Sequence, residues 1–332
     1  MTAARGGLLS PERRWTLALL AVTFVWGSTF VVVKEAVDRL PVLSFNAWRF
    51  AIAAIALGWL ARRELPLLGR DGLRRGVILG AALWAAYVLQ TFGLTLTTAP
   101  KAGFITGMVV VITPLLQSGL LRRVPSSAAL GGAGLAFGGL ALLTLEGALV
   151  PSLGDLLVLG CAVGFSLHLV GLGAWSGAHP SGALATVQLA TTAVLSAAGG
   201  LVQDAVAGPF AWTPPGAYVW GSIVFTALFA SAFAFFAQTA AQRVLSPTRT
   251  AVIFTMEPVF AWLTSWLGVP LLLATGMTGL EPETFGVRQG VGAAVILAGM
   301  LWAELRTGEP PDALAAPETA TIVDHLSPSV DT

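Results

Sequence analysis

Glu257 is the residue whose chemistry is least at home in its surroundings. It sits in Thr255-Met256-Glu257-Pro258-Val259, inside a long apolar run that opens at Ser246-Pro247 with Arg249 close behind. A carboxyl group is costly in an apolar medium unless a cavity hydrates it or a neighbour hydrogen-bonds it. Pro258 sharpens the point. It has no N–H to donate, and its ring crowds the carbonyl four residues back, that of Phe254. Two readings stand level: a protonatable group or cation partner facing a cavity, or a protonated carboxyl bonded to a carbonyl that the proline has freed.

Arg49 is the second ionisable group in apolar surroundings, about six residues into its run and so roughly 9 Å deep at 1.5 Å per residue. As the site's candidate charge partner it could meet an acid or a substrate carboxylate. It could also snorkel outward along its own stem, and a structural or snorkelling role is the preferred reading. Lys101, at the start of another run, reads as an anchor. His168 is a lone histidine in an apolar run, more often a hydrogen-bonded interior residue than a proton relay. Trp26, Ser28, Thr29, Trp84, Tyr87, Gln90, Thr106 and Gln238 form a softer group. In lipid, polar side chains turn toward protein or water, so these residues are expected to face the bundle interior. On a helix Trp84, Tyr87 and Thr91 share one face at i, i+3, i+7, with Gln90 three residues from Tyr87. An aromatic and amide wall suits small amphipathic molecules such as amino acids. For any one of these residues, plain helix–helix hydrogen bonding is at least as good an explanation.

The elements that must carry these groups follow from composition. The 332 residues are 55% hydrophobic and only 11% charged, against about 25% charged in soluble domains. Apolar runs long enough to cross a ~30 Å hydrocarbon core recur throughout, without the ~10-residue alternation of a membrane β-barrel. The expected fold is an all-α integral membrane protein of ten spans, near 15–33, 43–60, 76–94, 102–121, 128–145, 153–172, 183–202, 217–238, 249–268 and 287–304. With residues 1–14 inside, thirteen of the eighteen Lys and Arg fall on the inner side and four outside, leaving Arg49 within a span. That asymmetry places both termini in the cytoplasm of a cytoplasmic-membrane protein. The tail, 306–332, has little to bury and reads as disordered. A net charge of +1 gives no field for nucleic acid.

The chain repeats itself. Gln90-Thr91 in span three matches Gln238-Thr239 in span eight, at an offset of 148; Thr113-Pro114-Leu115 matches Glu257-Pro258-Val259, at 144. Gly132-Ala133 with Gly139 matches Gly292-Ala293 with Gly299, at 160. The drop to 144 makes span four about one turn longer before its proline, and the rise to 160 marks an insertion over 270–285. Five spans per unit is an odd number, so the halves 15–145 and 153–305 must enter the membrane from opposite sides. In such inverted repeats the substrate site lies at the repeat interface near the midplane, the depth of Pro114 and Pro258. Alone, each proline is more simply a helix bend; its recurrence in both halves favours a role in lining a cavity. The glycines of span five read as a tight helix contact or a homodimer face.

Trp26-Gly27-Ser28-Thr29-Phe30, Arg49-Phe50, Leu89-Gln90-Thr91-Phe92-Gly93-Leu94, Lys101-Ala102-Gly103-Phe104-Ile105-Thr106-Gly107, Glu257-Pro258-Val259-Phe260 and Ile296-Leu297-Ala298-Gly299 together resemble the EamA-type drug/metabolite transporter family, over about residues 15–305. The resemblance implies ten helices in two inverted halves, a central cavity for a small-molecule substrate, alternating access, and metabolite export. The sequence departs from that family where a short Gly-Glu turn usually follows spans four and nine: here stand Leu121-Arg122-Arg123 and the 270–285 insertion. Other classes find little support. No Walker-type phosphate loop and no His-Glu-x-x-His helix occur, the single Cys161 and three His have no metal-ligand spacing, and neither a cofactor nor an enzyme is expected. Proton coupling is left open by a single midplane acid. The alternative is a lipid-handling or non-transporting protein on the same fold.

Overall fold

The computed structural model describes residues 10–37, 39–97, 99–122, 124–144, 152–207, 211–274 and 286–306. Every regular element among them is helical: α1 (Pro11–Val37), α2 (Val42–Leu60), α3 (Gly69–Leu96), α4 (Ala99–Gly107), α5 (Val109–Leu121), α6 (Ser127–Thr144), α7 (Leu153–Trp175), α8 (Ser181–Ala207), α9 (Gly216–Ala227), a π-helical turn (Leu228–Phe233), α10 (Ala234–Ala241), α11 (Pro247–Phe254), α12 (Met256–Ala274) and α13 (Val287–Arg306), with short 3₁₀ turns at Leu65–Leu67 and Ser176–Ala178. Joined across their breaks, α4–α5, α9–α10 and α11–α12 are single spans, so the expected ten segments are present. Six are long and apolar enough to cross a membrane by length and composition, and shorter apolar helices cover 127–143 and 287–303.

Several helices outrun their apolar cores. α1 starts at Pro11 rather than near 15, and α3 at Gly69 rather than near 76. The added turns carry Arg13, Arg14, Arg70, Arg74 and Arg75, which polar surroundings tolerate and hydropathy does not count. α12 runs through Pro270 to Ala274, so the insertion does not begin at 270; residues 275–285, the 145–151 linker, residues 1–9 and the tail from 307 lie outside the described residues.

The packing has the exchange pattern of a two-fold axis. α2 pairs with α8 and α6 with α13, each the counterpart of its partner; α1 against α12 is answered by α7 against α5. The α6–α13 contact is reciprocal to the atom. A Cβ at Gly139 would sit 2.7 Å from the Gly292 carbonyl oxygen, and one at Gly292 2.8 Å from that of Gly139; Gly132 and Gly299 repeat the relation at 2.7 and 2.8 Å. The span-five glycines therefore divide. Gly132 and Gly139 let two backbones touch inside the bundle, whereas Gly134 and Gly138 face open space.

At the end of the bundle where α1 begins, called here the basic end, the two halves interlock through short loops. Glu64 Oε2 accepts from the backbone N–H groups of Gly182 (2.8 Å) and Ala183 (3.2 Å), capping the first turn of α8 from the other half. Asp71 is held by Arg75 (2.9 Å) and lies 3.3 Å from His179 Nε2. Burial pushes the His179 imidazole below its ordinary range; the Arg75 cation adds to the shift and Asp71 opposes it. The folded state thus favours neutral His179. Its contribution is complete above the usual imidazole value of about 6.5 and is lost as pH falls below it. The thermal midpoint of detergent-solubilised protein is therefore expected to fall between about pH 6.5 and pH 5 more steeply than that of His179→Gln. Parallel profiles would show that His179 carries no such linkage.

Candidate substrate chamber

The candidate site is built around the two spans that unwind, α4–α5 and α11–α12. α4 gives way to α5 at Met108, whose N–H donates to Ile105 three residues back; α11 gives way to α12 at Thr255, whose N–H donates to Val252 in the same way. These breaks are six residues before Pro114 and three before Pro258, which is the extra turn that the changed repeat offset implies. Pro258 accordingly falls in the first turn of α12, where a missing N–H costs nothing. Pro114 lies inside α5 and is buried.

Glu257 is the second residue of α12. α1 crosses it closely: a Cβ on Gly27 would lie 2.7 Å from the Glu257 carbonyl oxygen and 2.6 Å from Ala261 N, so only glycine admits this approach. The Glu257 side chain is half-buried and makes no hydrogen bond or ion pair among the described residues. It lies within electrostatic reach of Tyr87, as does Arg49.

Arg49 does not snorkel. It is 5% exposed and turns inward, with Nε donating to Ser231 Oγ at 2.7 Å and Nη2 to the Ala230 carbonyl at 3.3 Å. Both acceptors belong to the π-helical turn, which interrupts the regular bonding ladder and presents acceptors where no carboxylate pairs with this guanidinium among the described residues. The Ala230 carbonyl also accepts from Trp26 Nε1 at 2.8 Å, tying α1 and α2 to the other half through one oxygen. The guanidinium stacks 5.1 Å from both the Phe50 and Tyr87 ring centroids.

Tyr87 is the centre of the wall. Its ring makes edge contacts with Phe50, Phe165 and Phe235 at 5.0, 5.3 and 6.4 Å, and Trp26 packs on Phe235 and Phe254 at 5.9 and 5.0 Å. Gln90 Nε2 donates to Thr106 Oγ1 at 3.4 Å. Trp26, Trp84, Tyr87, Gln90, Thr106 and Glu257 are all half-buried, with Trp84 Nε1 unpaired among the described residues.

Other predicted residues sit apart. The Ser28 and Thr29 hydroxyls bond back to Val25 and Trp26 of their own helix. His168 is buried between α7 and α8, 2.7 Å from Gln188 Oε1, with only a ring contact to Phe235 leading toward the chamber. Gln238 is 1% exposed and lies nearer the basic end. Phe165, Phe235, Phe254 and Ser231 are wall residues that sequence reasoning missed; aromatic residues in apolar runs look like lipid-facing core. Ser231 had one available signal, the small-residue stretch Ala230-Ser231-Ala232 opposite a buried arginine that needed an acceptor.

The EamA-like transporter family profile matches residues 13–145. An uncharacterized transporter of Archaeoglobus fulgidus is 32% identical over 79% of this chain and 80% of its own length. The chain belongs to the EamA-like transporter family. A second relative, the uncharacterized transporter YetK of Bacillus subtilis, is 24% identical over 96% of this EamA-type chain and 95% of its own. One solved structure shares the fold, with a TM-score of 0.68 at 21% identity, covering 88% of this chain and 97% of that one. As an EamA-type transporter the protein is a multi-pass membrane protein.

Proposed function

We propose that this protein is a secondary transporter that moves small zwitterionic or amphipathic metabolites, of the amino acid kind, by alternating access between its two inverted halves, 15–145 and 153–305. The supporting observation is an inward-turned cation, Arg49, stacked on the Tyr87 ring, together with an acid, Glu257, that lies within electrostatic reach of the same Tyr87 and makes no hydrogen bond or ion pair among the described residues. A substrate carboxylate meets Arg49, its ammonium meets Glu257, and its side chain lies against Tyr87, Phe165 and Trp26. In a low-dielectric chamber two such charge-assisted contacts also compensate both protein charges. The excess of Lys and Arg at the basic end supports a cytoplasmic position for that end and both termini at the inner membrane, and export is the direction proposed. Glu257 is also the group through which a proton could be coupled. Counterflow into proteoliposomes loaded with amino acids, nucleosides and aromatic metabolites tests this. Exchange of amino acids or close analogues is expected, and a pH gradient changes its rate if Glu257 carries a proton. Absence of exchange for every solute by folded protein would turn the case toward lipid-handling or a non-transporting role.

A further inference from the structure

Among the described residues the two unwound spans pack closely at one end. At the basic end α5 packs directly on α11: Thr248 donates to Gln117 Oε1 from both its hydroxyl (2.9 Å) and its N–H (3.3 Å). Exchange of the halves carries this contact onto α4 against α12, which only graze one another. Two contacts that the repeat makes equivalent are thus in opposite states. Exposure follows the same division. Gln117, Thr248 and Thr250 are 6%, 0% and 0% exposed, while Glu257, farther along the same span, is half-buried.

On α10, its C-terminal cap and α11 the packing leaves polar capacity unspent. Gln238 Oε1, Gln242 Oε1 and Thr250 Oγ1 are buried and have no hydrogen-bond partner among the described residues. Gln242 spends its amide nitrogen on the Leu169 carbonyl of α7, at 2.9 Å. Gln238 lies in α10, Gln242 at its C-terminal cap and Thr250 in α11, and a buried acceptor left unpaired is unfavourable. Water or substrate reaching the seam would satisfy all three.

We infer that Gln117 and Thr248 form the closed gate of the basic end, and that Gln238, Gln242 and Thr250 line the half of the pathway that opens when α5 and α11 part. The inference rests on the transport reading above. In the alternate state α4 closes on α12, and the hydrogen bonds lost at Gln117–Thr248 are replaced by hydration of the three unpaired groups.

The test uses the full chain with Cys161→Ala as background. Gln117→Cys and Thr248→Cys are combined and bridged by a short, reducible bis-methanethiosulfonate. Counterflow is expected to fall at least about tenfold on bridging, because one of two required states is removed, and to recover on reduction. Confirmed bridging with undiminished exchange would overturn the gate and leave the transport reading intact. Separately, Thr250→Cys is exposed to a membrane-impermeant maleimide from the basic side, with Arg243→Cys as an exposed control. Labelling of both is expected, since Thr250 must become wet when the gate opens. Labelling of Arg243→Cys alone overturns the inference whether or not any solute is transported, so a failure of the transport reading is told apart from a failure of the gate.

Discussion

Replacing Glu257 with Gln is expected to raise the concentration of a zwitterionic substrate needed for half-maximal counterflow by about 10–100-fold while leaving the thermal midpoint unchanged. The size follows from losing one hydrogen bond to a charged group, worth about 1.5–3 kcal/mol in a desolvated site. The unchanged midpoint follows from the structure: Glu257 makes no hydrogen bond or ion pair among the described residues, so folding loses little with it. Arg49→Ala should behave differently. It weakens exchange to a similar degree and lowers the midpoint as well, because it strips Ser231 and the Ala230 carbonyl of a buried donor. Arg49→Lys keeps the charge without the planar fork that reaches two acceptors, and an intermediate phenotype is expected. Equal midpoints for Arg49→Ala and Glu257→Gln would show that the π-helical turn does not depend on the arginine.

The second large effect is on folding. Gly139→Leu and Gly292→Leu should each leave little folded, monodisperse protein. The new Cβ in either case meets opposing backbone at 2.6–2.8 Å, and backbone in a packed helix pair cannot retreat as the end of a flexible side chain can. Overpacking of this kind costs about 1–3 kcal/mol and sometimes more. Gly134→Leu is the control: it lies on the same helix, with nothing within 4 Å of the added atom, and should express and fold like the parent. If Gly139→Leu folds as well as Gly134→Leu, α6 and α13 do not meet as described.

Much of the architecture could be read from the sequence because its determinants are local. Run length and the loop arginines gave ten segments, and the repeated Gly132/Gly292 and Pro114/Pro258 positions gave their grouping into halves. Long-range contacts were less legible. That Arg49 turns inward depends on a π-helical turn about 180 residues away, and nothing in the residues around Arg49 signals it. The same holds for Gln117. It is one polar residue in an apolar run until α11 delivers Thr248 to it. The prolines located the unwound spans, but not the residues at which the helices break, Met108 and Thr255, since each break depends on which N–H turns to the carbonyl three residues back. Glu257 and Tyr87 stand out in the sequence because an acid and a phenol in apolar runs need a reason, whereas Phe165 and Phe235 need none.

Competition in counterflow among a zwitterionic aromatic amino acid, its methyl ester and its N-acetyl derivative tests the chamber most directly. The ester removes the carboxylate that meets Arg49, and acetylation removes the ammonium that meets Glu257. Each derivative is expected to compete at least about tenfold less well than the parent, the loss of a single charge-assisted contact. Arg49→Ala should narrow the difference for the ester alone, and Glu257→Gln that for the acetyl derivative alone. If all three compete equally in the wild-type protein, Arg49 and Glu257 do not read the two ends of a zwitterion, and the proposed binding mode is wrong.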